Sequence, residues 1–171
     1  MQTCADRLGE RFQVDPSQIL DKFAAIYRSV PYSEQPPFPG VEAVCLKVSA
    51  SGGINLIVTH RSRLSLEKLL EFHDLMKHFS EFLSAQDGYP HKPDPAMFNA
   101  LIQKFGLQPS ETMAIGDRDL DIQAGKAAGL MTCGFGDHDF QSVPDIRISR
   151  MNELLTYIKP TEKNIPTNRR A

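Results

Sequence analysis

The sequence predicts a layered α/β protein with a largely parallel sheet, and three observations predict it. After residue 50, short apolar runs of strand length alternate with stretches of helical periodicity. That alternation is the pattern of parallel strands joined by helical crossovers. Met113-Ala114-Ile115 stops at Gly116-Asp117, and the chain then turns into a small-residue segment, Ile122–Gly129, suited to a helix lying close on a sheet. Residues 31–40, PYSEQPPFPG, hold four prolines. Proline fixes φ and turns its predecessor away from helix, so this stretch is the one strong boundary.

Ahead of that boundary the spacing predicts two helices, 3–12 and 16–29. Asp15 supplies a cap and Pro16 the first helical position of the second. Residues 41–50 recur at three- and four-residue intervals and favour a helix. Ile54–Val58 reads as a buried strand ending at Thr59-His60-Arg61-Ser62. Ser65 is placed to cap a helix over 66–78, with Leu66, Leu69, Leu70, Leu75 and Met76 on its apolar face. Residues 81–85 form the next strand, and 87–95 a loop. Helix 96–105 stops at Gly106, strand 112–116 follows, then helix 121–128 and strand 131–135. A short strand at 146–148, a helix at 151–158 and a loose tail complete the chain.

The composition is that of an ordinary soluble domain, 41% hydrophobic and 23% charged with net charge -2. No basic surface points to nucleic acid and no apolar run is long enough to span a bilayer. Cys4, Cys45 and Cys133 lie far apart with no CxxC spacing, against a zinc site or disulfide framework. A cytoplasmic location is the expectation, with buried Cys45 and Cys133.

Three chemical groups stand at or just beyond strand ends: Thr59 with His60 and Arg61, Lys92 in the HKPDP loop, and Asp117, Asp119 and Asp121. Ligands of open α/β sheets bind beyond the carboxyl ends of strands. A hydroxyl, an ammonium and carboxylates suit phosphate chemistry with a hard cation such as Mg²⁺. Asp117 and Asp121 also suit plain helix-start capping. His60 fits a loop or substrate pocket better than a metal site, and His73, His78, His91 and His138 show no ligand spacing.

From about Phe38 to Phe135 the chain resembles the haloacid dehalogenase-like hydrolases, in the phosphoglycolate phosphatase branch. PGV at 39–41, IVTHRS at 57–62, HKPDPAMF at 91–98 and AIGDRDLDIQAGKAAG at 114–129 resemble the family's motifs in order. The resemblance implies a three-layer Rossmann-like core over 35–160, a remnant of a helical cap over 1–34, and a flexible tail over 161–171. It implies Mg²⁺-dependent hydrolysis of a small phosphate monoester. Thr59 and Lys92 would be catalytic, with Thr59, His60 and Lys92 on the phosphate. Asp117 would bind the metal directly. Asp121 would support its water shell and orient Lys92, and Asp119 would face solvent.

The family's nucleophile lies in an Asp-x-Asp-Gly-Thr pattern after an N-terminal strand, and this chain contains no such pattern. The resemblance therefore implies a sheet lacking its central, nucleophile-bearing strand, between 54–58 and 112–116. It also implies an inactive isolated chain, with homodimerisation or strand pairing at the vacant position. A truncated coding sequence, a folded inactive homologue and a rearranged enzyme all fit that pattern. The alternative function is a non-catalytic phosphate- or partner-binding protein of the same fold.

Overall fold

The computed structural model describes residues 2–160. The expected tail over 161–171 lies outside the described residues. The chain divides into two units, Met1–Pro36 and Pro37–Ala171. The break falls inside the proline-rich stretch.

The first unit pairs helices α1 (Gln2–Phe12) and α2 (Pro16–Ser29). The carboxylate of Asp15 accepts from the Ser17 amide at 2.8 Å, and Pro16 opens the helix. That cap satisfies one donor of the first helical turn. The turn between the helices is tight. A Cβ on Gly9 would lie 2.7 Å from the carbonyl oxygen of Val14.

The second unit contains α3 (Val41–Ala50), β1 (Leu56–Val58), α4 (Arg63–Phe72), β2 (Glu81–Leu83), α5 (Ala96–Phe105), β3 (Met113–Gly116), α6 (Asp119–Ala127), β4 (Met131–Phe135) and β5 (Ile146–Ile148). Residues 151–156, expected as an α-helix, form 3₁₀ turns instead. Among the described residues all strand pairing is parallel, as β1–β2 and as β3–β4–β5. The fold is therefore α/β with parallel sheets and helical crossovers.

Each sheet has its own core. Leu66, Leu70, Leu75 and Phe82 pack under β1–β2, and Val44, Cys133, Ile148 and Leu154 under β3–β4–β5. Burial pushes the thiols of Cys45 and Cys133 up to about 11, with Glu42 and Glu153 adding to it respectively. Both cysteines serve as small apolar groups.

Among the described residues β1 and β3 are not paired with each other. The Thr59 amide donates to Leu83 and the Ser80 amide to Asn55, so odd-numbered positions of this segment face β2. Strand backbone groups alternate sides, so those of Leu56 and Val58 point to the open edge. The Met131 amide donates to Thr112, which places Met113 and Ile115 on the open edge of β3 by the same alternation. Ile115 is 43% exposed although it sits in mid-strand.

Helix α4 differs from its expected form. Ser62, not Ser65, caps it, accepting from the Ser65 amide at 3.4 Å. It stops at Phe72 because Asp74 takes a positive φ of 54° and Leu75 turns back to donate to Leu70. Residues 76–78 then form one 3₁₀ turn. Leu75 and Met76 reach the same apolar core from beyond that break.

Candidate active site

Lys92 is the centre of the site. It follows β2 in the loop that leads to α5, and its side chain is only 5% exposed. Its ammonium donates to the carbonyl oxygen of Val58 at 2.9 Å and to Asp121 Oδ1 at 2.6 Å. Val58 ends β1, and Asp121 lies in the first turn of α6, just after β3. One lysine thus ties together the carboxyl-terminal ends of strands in the two separate sheets. The carbonyl it takes is one of those on the open edge of β1.

Asp121 owes its place to two glycines. A Cβ on Gly116 would stand 2.2 Å from the Cβ of Asp121, so the carboxylate packs directly on the strand end. A Cβ on Gly125 would stand 2.8 Å from Ala114 Cβ and 3.0 Å from Thr132 Cγ2. Helix α6 therefore lies as close to the sheet as its small-residue sequence suggests. Thr132 is fully buried, and its hydroxyl and amide both donate to Asp145, at 2.6 and 2.8 Å.

Asp117 is different. Its side chain is half exposed, and the guanidinium of Arg118 lies beside it, Nε to Oδ1 3.9 Å. The same Nε lies 3.5 Å from Asp121 Oδ2. Arg118 therefore stands between the two carboxylates expected to hold metal. Arg118 stands three residues before Asp121, at the N-cap of α6. Asp119 does not simply face solvent: it is half-buried and accepts from the Ser142 amide at 2.9 Å. That bond ties α6 to the loop before β5.

Thr59 follows Val58 directly. Its hydroxyl oxygen accepts from the Arg61 amide at 3.1 Å, which leaves the hydroxyl hydrogen for another acceptor. The Arg61 guanidinium donates to Ser65, Nη1 to Oγ 3.1 Å. His60 is half-buried, and its Nε2 accepts from the Lys92 amide at 2.9 Å. Burial, with Lys92, His91 and Arg118 around it, pushes its imidazole down to about 4.

The structure thus gathers Val58, Thr59, His60, Lys92 and Asp121 at one corner, with Asp117 on its rim. Among the described residues no group of three His, Cys, Asp or Glu side chains is close enough to form a metal cage. Mg²⁺ does not require one. It is commonly held by one or two carboxylates and otherwise keeps water and phosphate oxygens. A half-exposed Asp117 beside a buried Asp121 fits that donor set.

The model of the haloacid dehalogenase-like hydrolase family matches residues 2–135. The chain belongs to the haloacid dehalogenase-like hydrolase family. Within this family it is similar to the phosphoglycolate phosphatase of Salmonella choleraesuis strain SC-B67, 32% identical over 124 residues, covering 69% of this chain and 49% of the relative. The phosphoglycolate phosphatase of Escherichia coli K12 is 31% identical over the same shares. The chain spans about half the length of these curated relatives.

The fold is shared with a predicted phosphoglycolate phosphatase from Haemophilus somnus 129PT. That structure superposes with a TM-score of 0.75 at 24% identity over 91% of this chain and 74% of the other. Among the described residues no helix is long and apolar enough to cross a membrane.

Proposed function

We propose that this chain carries the phosphate- and Mg²⁺-binding part of a phosphate monoester hydrolase site. The observation that carries the proposal is Lys92, buried and shared between the end of β1 and the start of α6. A buried ammonium stays paired, and here it sits where two strand ends offer a hydroxyl and a carboxylate. The Thr59 hydroxyl would donate to a phosphoryl oxygen while Lys92 offsets its charge.

The chemistry that Mg²⁺ supplies when bound is neutralisation of phosphoryl oxygens. Asp117 would hold it directly and Asp121 through its water shell. The phosphoglycolate phosphatases among the relatives make a small phosphorylated acid the first substrate class to try.

A carboxylate nucleophile is the part this corner lacks. Nucleophilic phosphoryl transfer needs an attacking group in line with the leaving oxygen. None of the carboxylates gathered here is free for it: Asp121 is paired to Lys92, and Asp117 is assigned to metal. We propose that a strand pairing with the open edges of β1 and β3 would supply it. The chain alone would then bind phosphate without turning over esters.

The test is release of inorganic phosphate from 2-phosphoglycolate and p-nitrophenyl phosphate by the purified chain with Mg²⁺, beside calorimetric binding of inorganic phosphate. Binding without release supports the proposal. Release at an enzymatic rate refutes the need for an added strand. Neither binding nor release refutes the site.

A further inference from the structure

We infer that His60 is a positioning residue, whose ring nitrogen Nε2 holds the Lys92 main chain in place so that the Lys92 ammonium reaches Val58 and Asp121. The contact joins residues far apart in the chain, from the turn after β1 to the loop before α5. His60 Nε2 lies 2.9 Å from the Lys92 amide nitrogen. An amide can only donate, so Nε2 must carry a lone pair. The imidazole is therefore neutral here, with its remaining proton on Nδ1.

The surroundings keep it neutral. His91, exposed on the other loop, stacks on the His60 ring with centroids 4.7 Å apart at 31°. Three positive or titratable groups, Lys92, His91 and Arg118, oppose a charge on His60, and burial opposes it further. Asp121 favours the charge. A protonated ring would present a donor to a donor and break the bond.

The consequence reaches the buried pair. The Lys92 side chain spans a fixed distance from its Cα to two acceptors on different elements, Val58 and Asp121. The loop around it, residues 87–95, carries Gly88 and three prolines and makes few backbone bonds of its own. A bond from the Lys92 amide fixes the Cα from which that side chain starts. The same bond takes Nε2 away from phosphate, so His60 acts through Lys92 and does not touch the ligand with that atom. The role of Lys92 in phosphate binding rests on the function proposed above, whereas the contact between His60 and Lys92 does not.

The experiment is a titration of the uniformly labelled full chain followed by NMR, from pH 7.5 to 3.5, reading the His60 ring and the Lys92 amide together. Both should move with one midpoint near 4. His60→Ala should speed exchange of the Lys92 amide roughly fivefold to tenfold, the loss of one ordinary hydrogen bond. His60→Gln, whose side-chain oxygen can accept in place of Nε2, should restore most of the protection. A His60 midpoint at the ordinary 6.5, or a Lys92 amide indifferent to His60 in the wild-type titration, overturns the inference. So does equal Lys92 exchange in the Ala and Gln variants. None of these readouts needs activity or bound phosphate, so they stand apart from the test of function.

Discussion

Lys92 Nζ and Asp121 Oδ1 lie 2.6 Å apart, with side chains only 5% and 8% exposed. A buried ion pair adds little net stability over apolar substitutes, but removing one partner strands the other. Lys92→Met should therefore cost about 3–5 kcal/mol, read as a shift of the urea midpoint. Lys92→Met combined with Asp121→Leu should cost clearly less than the sum of the singles. Additive losses would show that the two groups do not act as a pair.

Gly116 is fixed by the same carboxylate. A Cβ there would meet Asp121 Cβ at 2.2 Å, between backbone-anchored atoms that cannot swing aside. Gly116→Ala should destabilise by about 1–3 kcal/mol, the range for overpacking. It should also weaken Mg²⁺ binding by displacing Asp121. Isothermal calorimetry with Mg²⁺ separates the second effect from the first.

Arg118 stands 3.9 Å from Asp117 and 3.5 Å from Asp121. A fixed positive charge beside two carboxylates proposed to bind metal repels a cation, though exposure of the guanidinium screens the effect. Arg118→Gln should tighten Mg²⁺ roughly threefold to tenfold at low ionic strength, with the gain shrinking as salt is added. Calorimetric titration at two salt concentrations checks both parts. Weaker Mg²⁺ binding in the variant would show that Arg118 orders the carboxylates instead of opposing the ion.

Stability should fall as pH falls through the His60 window. The folded imidazole titrates near 4 and the unfolded one near 6.5, so the unfolded chain binds the extra proton between them. The His60 contribution is fully present above pH 6.5, declines down to about 4 and changes no further below it. Urea unfolding at half-unit steps of pH should show that decline in the wild type and lose most of it in His60→Gln. Asp145 acts lower on the scale. Its hydroxyl and amide bonds from Thr132 hold its carboxyl below the ordinary value, so its contribution is present above about 3.8 and is lost on further acidification.

Much of the fold could be read from the chain because local signals agreed with tertiary ones. Gly106 takes the left-handed conformation that ends α5 where the sequence stops it. The strands at 113–116, 131–135 and 146–148 lie where the apolar runs place them. Helix α4 was harder. Two serines precede its apolar run, and only Ser62 has the extended backbone of a cap. Leu75 and Met76 continued the helical pattern across a break, because the core they share with Leu70 can be reached from either side of a turn.

The corner itself shows the same division. The AIGDRDLD and HKPDP segments point to a carboxylate and a lysine, and in the structure Asp121 and Lys92 form an ion pair. The bond from the Lys92 amide to His60 joins residues without local pattern, so no spacing could reveal it.

The most direct measurement is calorimetric binding of inorganic phosphate to the full chain, with and without Mg²⁺, in wild type and Thr59→Val. Thr59→Val removes the hydroxyl while keeping the shape of the side chain and leaving the buried pair intact. The expected result is Mg²⁺-dependent binding that weakens roughly tenfold to a hundredfold in the variant, the worth of a hydrogen bond to a charged group. Phosphate binding that ignores both Mg²⁺ and Thr59, or no binding at all, would contradict a phosphate site at the ends of β1 and β3.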